Sequence, residues 1–469
     1  MIKTRKETFS NFAKYSNLRL GSYYSIPKSR YTYIPFSQVI SVCEPGSRPS
    51  GGIQHDYSNQ AINLGAEQIG ENGLLNLMNI PYVPFEFYDL ADSGYVKEND
   101  ILICKDGALT GKICIANLQI NGLQDKQVMI NEHVYIIRAN SNYNQLFLYF
   151  VMQSNIFQNQ VKDFAYKKKG QPGLNLDHIS KIKVPNVPLQ IQEKIIDTVK
   201  GDFYDLAKKM NSVETVPSII NKYISERFGI NFDQIKDIEE KNHFNSSLLD
   251  FAQNGETYRF SYRWNKASQI LRTLQSVPSA ESIDKHIVRT QNGWSPNCSV
   301  DGAYQVLSLD SLNENGILDV NRHKFSSALK NNLDDYLLKQ GDFLISRGNT
   351  VDLVAMASVV TEQPDQRVIF PDLMIRIHFD KTIDSSYMAY IFNSFIGRLY
   401  FKYATKGKNQ TMVKVSRLEL NEFTVPLPDI NEQRLIVEDL RRLIKNRQAQ
   451  VDSIQKRQKD IRDRILSAI

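Results

Sequence analysis

The chain runs through one pattern twice, and this duplication limits its fold more than any other feature of its 469 residues. Internal repeats identify a fold built from copies of one unit. Arg19-Leu20 ahead of an aromatic stretch returns as Arg259-Phe260. ENGLLN from Glu71 to Asn76 returns as ENGILD from Glu314 to Asp319, and DILICKDG from Asp100 returns as DFLISRGN from Asp342. Leu148 to Ser154 corresponds to Met388 to Ser394. The most specific match is F-x-Y-x-x-K-G, where Phe164, Tyr166, Lys169 and Gly170 reappear as Phe401, Tyr403, Lys406 and Gly407. Val184-Pro185 meets Val425-Pro426, Gln192 meets Gln433, and Leu189 to Phe228 then maps without a gap onto Ile430 to Ile469. All matches keep the same order at nearly the same separation. A whole domain plus a helical tail was copied in tandem.

Within each copy, short β-type runs (ILICK, KICIA, VYIIRA; FLISR, SVVTE, LMIRIHF) alternate with Gly, Asn and Pro punctuation around one helical stretch. This predicts an α+β globule. In the first tail Ile195, Val199, Phe203, Leu206, Met210 and Val213 form a helical stripe. Pro217 interrupts that tail and Gly229 follows it, which predicts two helices or a kinked one. In the second tail Ile436, Leu440, Leu443, Arg447, Val451, Ile454, Ile461 and Ile465 follow a near-heptad spacing with charges on the other faces. Such a seam calls for a partner helix, and the sister tail is the obvious one. A helix of 40 residues would be ~60 Å long, longer than one ~34 Å turn of duplex DNA.

Composition narrows the class. With 42% hydrophobic and 23% charged residues the chain is long enough for two cores, and its net charge of +6 permits a polyanionic partner. Cys43, Cys104, Cys114 and Cys298 form no CxxC or Cys/His cluster, which argues against a disulfide framework or a zinc site and fits a reducing cytoplasm. The start has no apolar h-region, and no stretch approaches the ~20 apolar residues that span a bilayer. Phosphate-loop, GxSxG, HExxH and G-x-G-x-x-G motifs are absent, as is the [DNS]PP[YFW] motif of adenine methyltransferases. Asp106 with Lys112, and Pro371-Asp372 near Arg376, are the nearest acid/base look-alikes, but Gly348 replaces Asp106 in the second copy. Cys104 aligns with Ser346, as a small buried residue would. His133 reads as a packed core histidine on a strand.

DILICKDG and DFLISRGN, the Asn-Gly segments, F-x-Y-x-x-K-G, and above all VPNVPLQIQEKII and VPLPDINEQRLIV leading into long helices give the chain its family likeness. It resembles the specificity subunit of a type I restriction-modification enzyme over nearly its whole length. The resemblance implies target recognition domains at 1–186 and 246–427 and helical regions at 187–245 and 428–469. It implies that the helical regions form an antiparallel coiled coil with pseudo-twofold symmetry. A bipartite, asymmetric sequence in double-stranded DNA would be read by a subunit without chemistry of its own. The partners implied are two methyltransferase subunits and two restriction or translocase subunits. S-adenosylmethionine, ATP and Mg would be bound by those partners and no cofactor by this chain, in the cytoplasm. A protein-binding coiled-coil adaptor, or a specificity factor of another phage-defence methylation system, shares these features.

Lys167, Lys168 and Lys169 before Gly170, and Lys406, Lys408, Asn409 and Gln410 around Gly407, are the leading candidates for DNA contact. Lysines supply phosphate contacts, glycine permits close backbone approach, and Asn or Gln pairs bidentately with adenine. A run of lysines also fits a plain solvated loop. Lys105 and Arg347 share the position just after a strand, suited to guanine or phosphate or equally to a surface ion pair. The Gly-rich segments Gly46 to Gln60 and Arg289 to Ser299 match each other poorly, as the reading loops of two divergent readers should. This selects Arg48, Gln54, His55, Asn292, Trp294 and Asn297, although ordinary variable loops look the same. Arg19 and Arg259 read as structural anchors.

Overall fold

A computed structural model describes residues 26–27, 29–50, 60–78, 80–165, 172–241, 243–244, 261–409 and 412–469. The chain divides into two units, one made of Met1–Val213 with Gln450–Ile469 and the other of Glu214–Ala449. This division cuts through both helical tails. The long helix Ile430–Ser467 gives its first turns to the second unit and its last turns to the first.

The first unit is built on a four-stranded antiparallel sheet in the order Ile40–Pro45, Val134–Ala139, Asp100–Cys104, Ile113–Ala116. Its strand DILIC is buried at every residue, so both faces are covered. Alternation sends Ile101 and Ile103 to a core with helices Gln145–Gln153 and Asn155–Ala165, and Leu102 and Cys104 to a core on the opposite face. A three-stranded sheet, Tyr82–Val83, Ala61–Leu64, Val128–Ile130, contains one parallel pair.

The second unit repeats this plan on its own residues. The order Ile287–Asn292, Met374–Phe379, Phe343–Ser346, Ala357–Val359 reproduces the four-stranded sheet. His323–Ser326, Tyr304–Leu307, Val368–Ile369 reproduces the three-stranded sheet, parallel pair included. Phe343 and Ile345 face one core and Leu344 the other. Gly73 and Gly316 of the two Asn-Gly turns take φ +78° and +72°, a left-handed conformation that strains any residue with a Cβ.

The Gln192 and Gln433 match has a physical cause. Each is fully buried at the entry to a tail helix. Gln192 Oε1 accepts from the backbone N of Asn144 (2.7 Å) and Nε2 donates to Val187 O (2.7 Å). Gln433 makes the same pair with Asp384 N (2.8 Å) and Pro428 O (2.8 Å). Asn144 and Asp384 are themselves N-caps of the helices Gln145–Gln153 and Ser385–Asn393. A single amide thus ties the tail to the globule, and its loss would strand buried polar groups.

The first tail is more divided than two helices or a kink. It forms Leu189–Asp197, Lys200–Ser212, Val216–Phe228 and Phe232–Glu240. Pro217 lies in the first turn of the third of these, behind the N-cap Thr215, where its missing N–H costs nothing. Gly229, at φ +64°, ends that helix. Within the second unit this helix and the start of Ile430–Ser467 run antiparallel. Arg227 Nη2 meets Glu432 Oε1 at 2.5 Å, Tyr223 Oη donates to Asp439 Oδ2 (2.8 Å), and Arg447 Nε donates to Glu214 O (3.2 Å). Ile436 and Leu440 of the predicted seam are buried there, whereas Leu443 is 39% exposed. In the first unit Ile454, Ile461 and Ile465 join the core that holds Ile196, Phe203 and Leu206.

Candidate nucleic-acid interface

Each four-stranded sheet delivers a cation at the end of one inner strand. Lys105 follows Asp100–Cys104; its N–H donates to His133 O (2.9 Å) and its carbonyl accepts from Leu174 N (2.6 Å). Arg347 follows Phe343–Ser346; its N–H donates to Leu373 O (2.7 Å) and its carbonyl accepts from Val415 N (2.8 Å). The backbone is bracketed in the same way in both units. The side chains are not.

In the first unit Lys105 enters a chain of polar and charged side chains. Lys105 Nζ lies 3.2 Å from Asp106 Oδ2, and Asp106 Oδ1 lies 2.6 Å from His133 Nδ1. His133 Nε2 lies 3.3 Å from Glu132 Oε1, which also meets Arg48 Nε at 2.7 Å. His133 is therefore not a core histidine. It sits in a turn just before the strand Val134–Ala139, with its side chain 39% exposed between two carboxylates. Arg48, half exposed, is tied to Glu132.

In the second unit Gly348 stands where Asp106 stands in the first. Gly348–Asn349 pairs antiparallel with Met412–Lys414, which pairs in turn with Lys406–Asn409. The segment from Lys406 is thus a strand of a small sheet. This sheet gathers Arg347 with the exposed Lys406 and Lys414, Lys414 lying opposite both Gly348 and Lys406. Among the described residues none of these three cations has a carboxylate partner. Lys402, one turn earlier, is by contrast paired with Glu239 (2.8 Å) and Asp352 (3.5 Å). Cations without counter-charges are suited to phosphate contacts, which release condensed counterions from DNA.

The Gly-rich segments prove to be equivalent. Gly46 lies against Ile130 O so closely that a methyl group would overlap it, and Gly293 lies in the same way against Phe370 O and Pro371 O. Ser47 N then donates to Ile130 O (3.2 Å), and Trp294 N to Phe370 O (2.9 Å). Asn292 and Asn297 are exposed. Trp294 packs near Tyr336, with Lys330 Nζ 4.6 Å from its ring centre and 4.8 Å from that of Tyr336. Arg19, Arg259, Gln54, His55, Lys167, Lys168, Lys169 and Gln410 lie outside the described residues, as do the side chains of Lys408 and Asn409. Glu132 and Lys414 were not singled out from sequence. The turn before Val134–Ala139 places Glu132 beside Arg48, and strand register places Lys414 beside Lys406.

Cys104 is no nucleophile. It is fully buried, donates to Asp106 O (3.2 Å), and has its pKa pushed up to about 11, chiefly by burial. Asp372 accepts from Ser295 Oγ. Among the described residues no group of His, Cys, Asp and Glu is arranged to hold a metal ion, and no helix is long and apolar enough to cross a membrane.

The family model for the type I restriction modification DNA specificity domain matches residues 79–214 and again 295–456, together more than half of the chain. The chain belongs to this family. Each match begins in the body of one copy and runs into the helical tail that follows it, as the duplication requires. No curated protein matches the chain. Among solved structures it is similar to the S subunit of a type I restriction-modification system from M. genitalium, with 11% identity, 94% of this chain and 96% of that chain covered, and a TM-score of 0.37. A chain from a study of complex assembly and conformational transition of the type I R-M system gives 14% identity, 95% and 98% coverage and a TM-score of 0.37. The HsdS subunit from Thermoanaerobacter tengcongensis gives 14%, 94% and 97%, and 0.29. The specificity-domain assignment rests on the family model, which matches once in each copy.

Proposed function

We propose that this chain is the DNA-reading subunit of a type I restriction-modification complex, recognising a bipartite, asymmetric duplex target, one half-site per copy. The observation that carries the reading is a specificity domain matched twice, on copies that share sheet order and backbone bracketing but present different side chains at the strand end. Two readers of one ancestry and different chemistry are what an asymmetric split target requires. Phosphate contacts from Lys406, Lys408, Lys414 and the Lys167–Lys169 run supply affinity. Arg347, Lys105, Arg48, Gln54, His55, Asn292, Trp294, Asn297, Asn409 and Gln410 are the candidates for base and near-base contacts.

The antiparallel tails serve as ruler and scaffold. Their duplication offers two equivalent surfaces to two methyltransferase subunits, and restriction subunits complete the assembly. Methylation and cleavage, with S-adenosylmethionine, ATP and Mg, belong to those partners, and the complex works in the cytoplasm. The test is to map methylated adenines in a host that carries this chain with its methyltransferase. The expected result is one motif of two specified half-sites flanking an unspecified gap. Methylation without a motif, or no binding of duplex by the assembled complex, would overturn the proposal, and the latter is what a protein-binding adaptor would give.

A further inference from the structure

Arg376 is a buried charged residue that the contacts with DNA leave unexplained. It lies on the strand Met374–Phe379 with its side chain 7% exposed. Its Nη1 donates to Asp342 Oδ2 (2.8 Å) and to Leu337 O (2.9 Å). Its Nη2 donates to Gln291 Oε1 (2.6 Å) and to Asp335 O, and the guanidinium lies 5.0 Å from the Phe370 ring centre. Gln291 also donates from Nε2 to Asp335 O (3.0 Å). One planar fork thus fixes three things at once. Asp342 directly precedes the strand that leads to Arg347, Leu337 and Asp335 carry Tyr336 between them, and Gln291 directly precedes Asn292, Gly293 and Trp294.

The first unit has a comparable device two residues further along the matching strand, where Ile136 and not Arg138 lines up with Arg376. Arg138 donates from Nε and Nη2 to Asp100 (both 2.7 Å) and from Nη2 to Tyr95 O (2.8 Å), with Glu44 Oε1 3.9 Å from Nη1. Glu44 stands two residues before Gly46, as Gln291 stands two before Gly293. Glu44 Oε1 in turn accepts from Gly94 N (3.3 Å). An arginine (buried as Arg376, partly exposed as Arg138), an aspartate at the start of the cation-bearing strand, and an acid or amide at the root of the Gly-rich segment recur together.

From this we infer that Arg376 and Arg138 are positioning residues for target reading, each aligning the Gly-rich segment of its own copy with the cation at the strand end. The inference rests on the function proposed above. An arginine is needed because only its rigid, five-donor fork satisfies acceptors on three separate segments, which a lysine cannot reach together. Discrimination by base contacts depends on geometry held within a fraction of an ångström.

The test uses the full chain assembled with its methyltransferase partners and selects sites from duplexes randomised at both half-sites. Arg376→Lys retains a charge opposite Asp342 but loses the fork, and Gln291→Ala removes only the link to the segment. Both are expected to reduce base discrimination about tenfold or more at one and the same half-site, leaving the other intact. Arg138→Lys should relax the opposite half-site. Unaltered selection by Gln291→Ala and Arg376→Lys, or loss of both half-sites together, would overturn the inference. A merely structural role would shift the unfolding midpoint without this half-site bias. If the wild-type complex selects no motif, the underlying function fails instead, so the two failures are distinguishable.

Discussion

After the same strand, held by the same two backbone hydrogen bonds, the first unit places Lys105 beside Asp106 and the second places Arg347 beside Gly348. Asp106 in place of glycine gives Lys105 a carboxylate partner, and His133, Glu132 and Arg48, whose own counterparts also differ (Leu373 stands where His133 does), extend the contact into a polar chain. In the second unit the same place opens onto a small sheet that adds Lys406 and Lys414. The difference teaches that the scaffold and the side chains it presents at the strand end are separable. Buried residues that fix the backbone were kept in both copies, while residues at the strand end diverged in charge.

The sharpest way to break this comparison is through the arginine–aspartate pairs at the start of both cation-bearing strands. Asp342→Ala leaves the Arg376 guanidinium, 7% exposed, without its carboxylate, and should cost roughly 3–5 kcal/mol in denaturant unfolding. Asp100→Ala should cost less, about 1–3 kcal/mol, because Arg138 is 20% exposed and water reaches it. Equal losses would show that the two copies do not differ in the way their burial indicates.

Next in size is an exchange at the strand end. Gly348→Asp gives Arg347 the neighbour that Lys105 has, and should lower duplex affinity about tenfold while reducing the salt slope by roughly one. A Cβ there meets Leu373 Cδ2 at 3.1 Å, which a small side-chain shift relieves. Asp106→Gly should act in the opposite direction. Smaller again, Lys406→Ala and Lys414→Ala should each weaken binding to all sequences alike and reduce the salt slope by about one, read by titration at several salt concentrations. A sequence-dependent loss would move those lysines from phosphate to base contacts.

The smallest effect separates the thiols. Cys43, Cys104 and Cys114 lie in the first unit, and burial pushes Cys43 to about 12, Cys104 to about 11 and Cys114 still higher. A buried thiol keeps its proton when the unfolded chain has lost it, so the contribution of Cys104 to stability is complete below its ordinary 9.0 and declines as pH rises towards about 11. Cys298 in the second unit is exposed. A thiol reagent at pH 8 should therefore modify Cys298 quickly, the half-buried Cys43 slowly, and Cys104 and Cys114 only after unfolding, which counting of modified thiols by mass would check.

Much of this was legible in the primary structure. Repeated Asn-Gly turns, the buried strands DILIC and FLIS, and Gln192 with Gln433 betrayed the duplication, because burial and positive φ tolerate few residue types. The fragmentation of the first tail was visible only in part, since Pro217 reads as a breaker whereas a preceding Thr215 cap makes it a helix start. His133 was misread as core because a strand pattern does not reveal that the residue lies one position outside the strand, between two carboxylates.

Sequence alone therefore determined the copy number, the element types and the family of this protein, since periodicity, turn chemistry and spacing are local properties of the chain. Tertiary structure decided which charges are free and which are neutralised. The Lys105–Asp106 pair is adjacent in sequence, yet its continuation to His133, Glu132 and Arg48, and the gathering of Lys406 and Lys414 beside Arg347, bring together residues tens of positions apart, and Coulomb interactions follow distance in space.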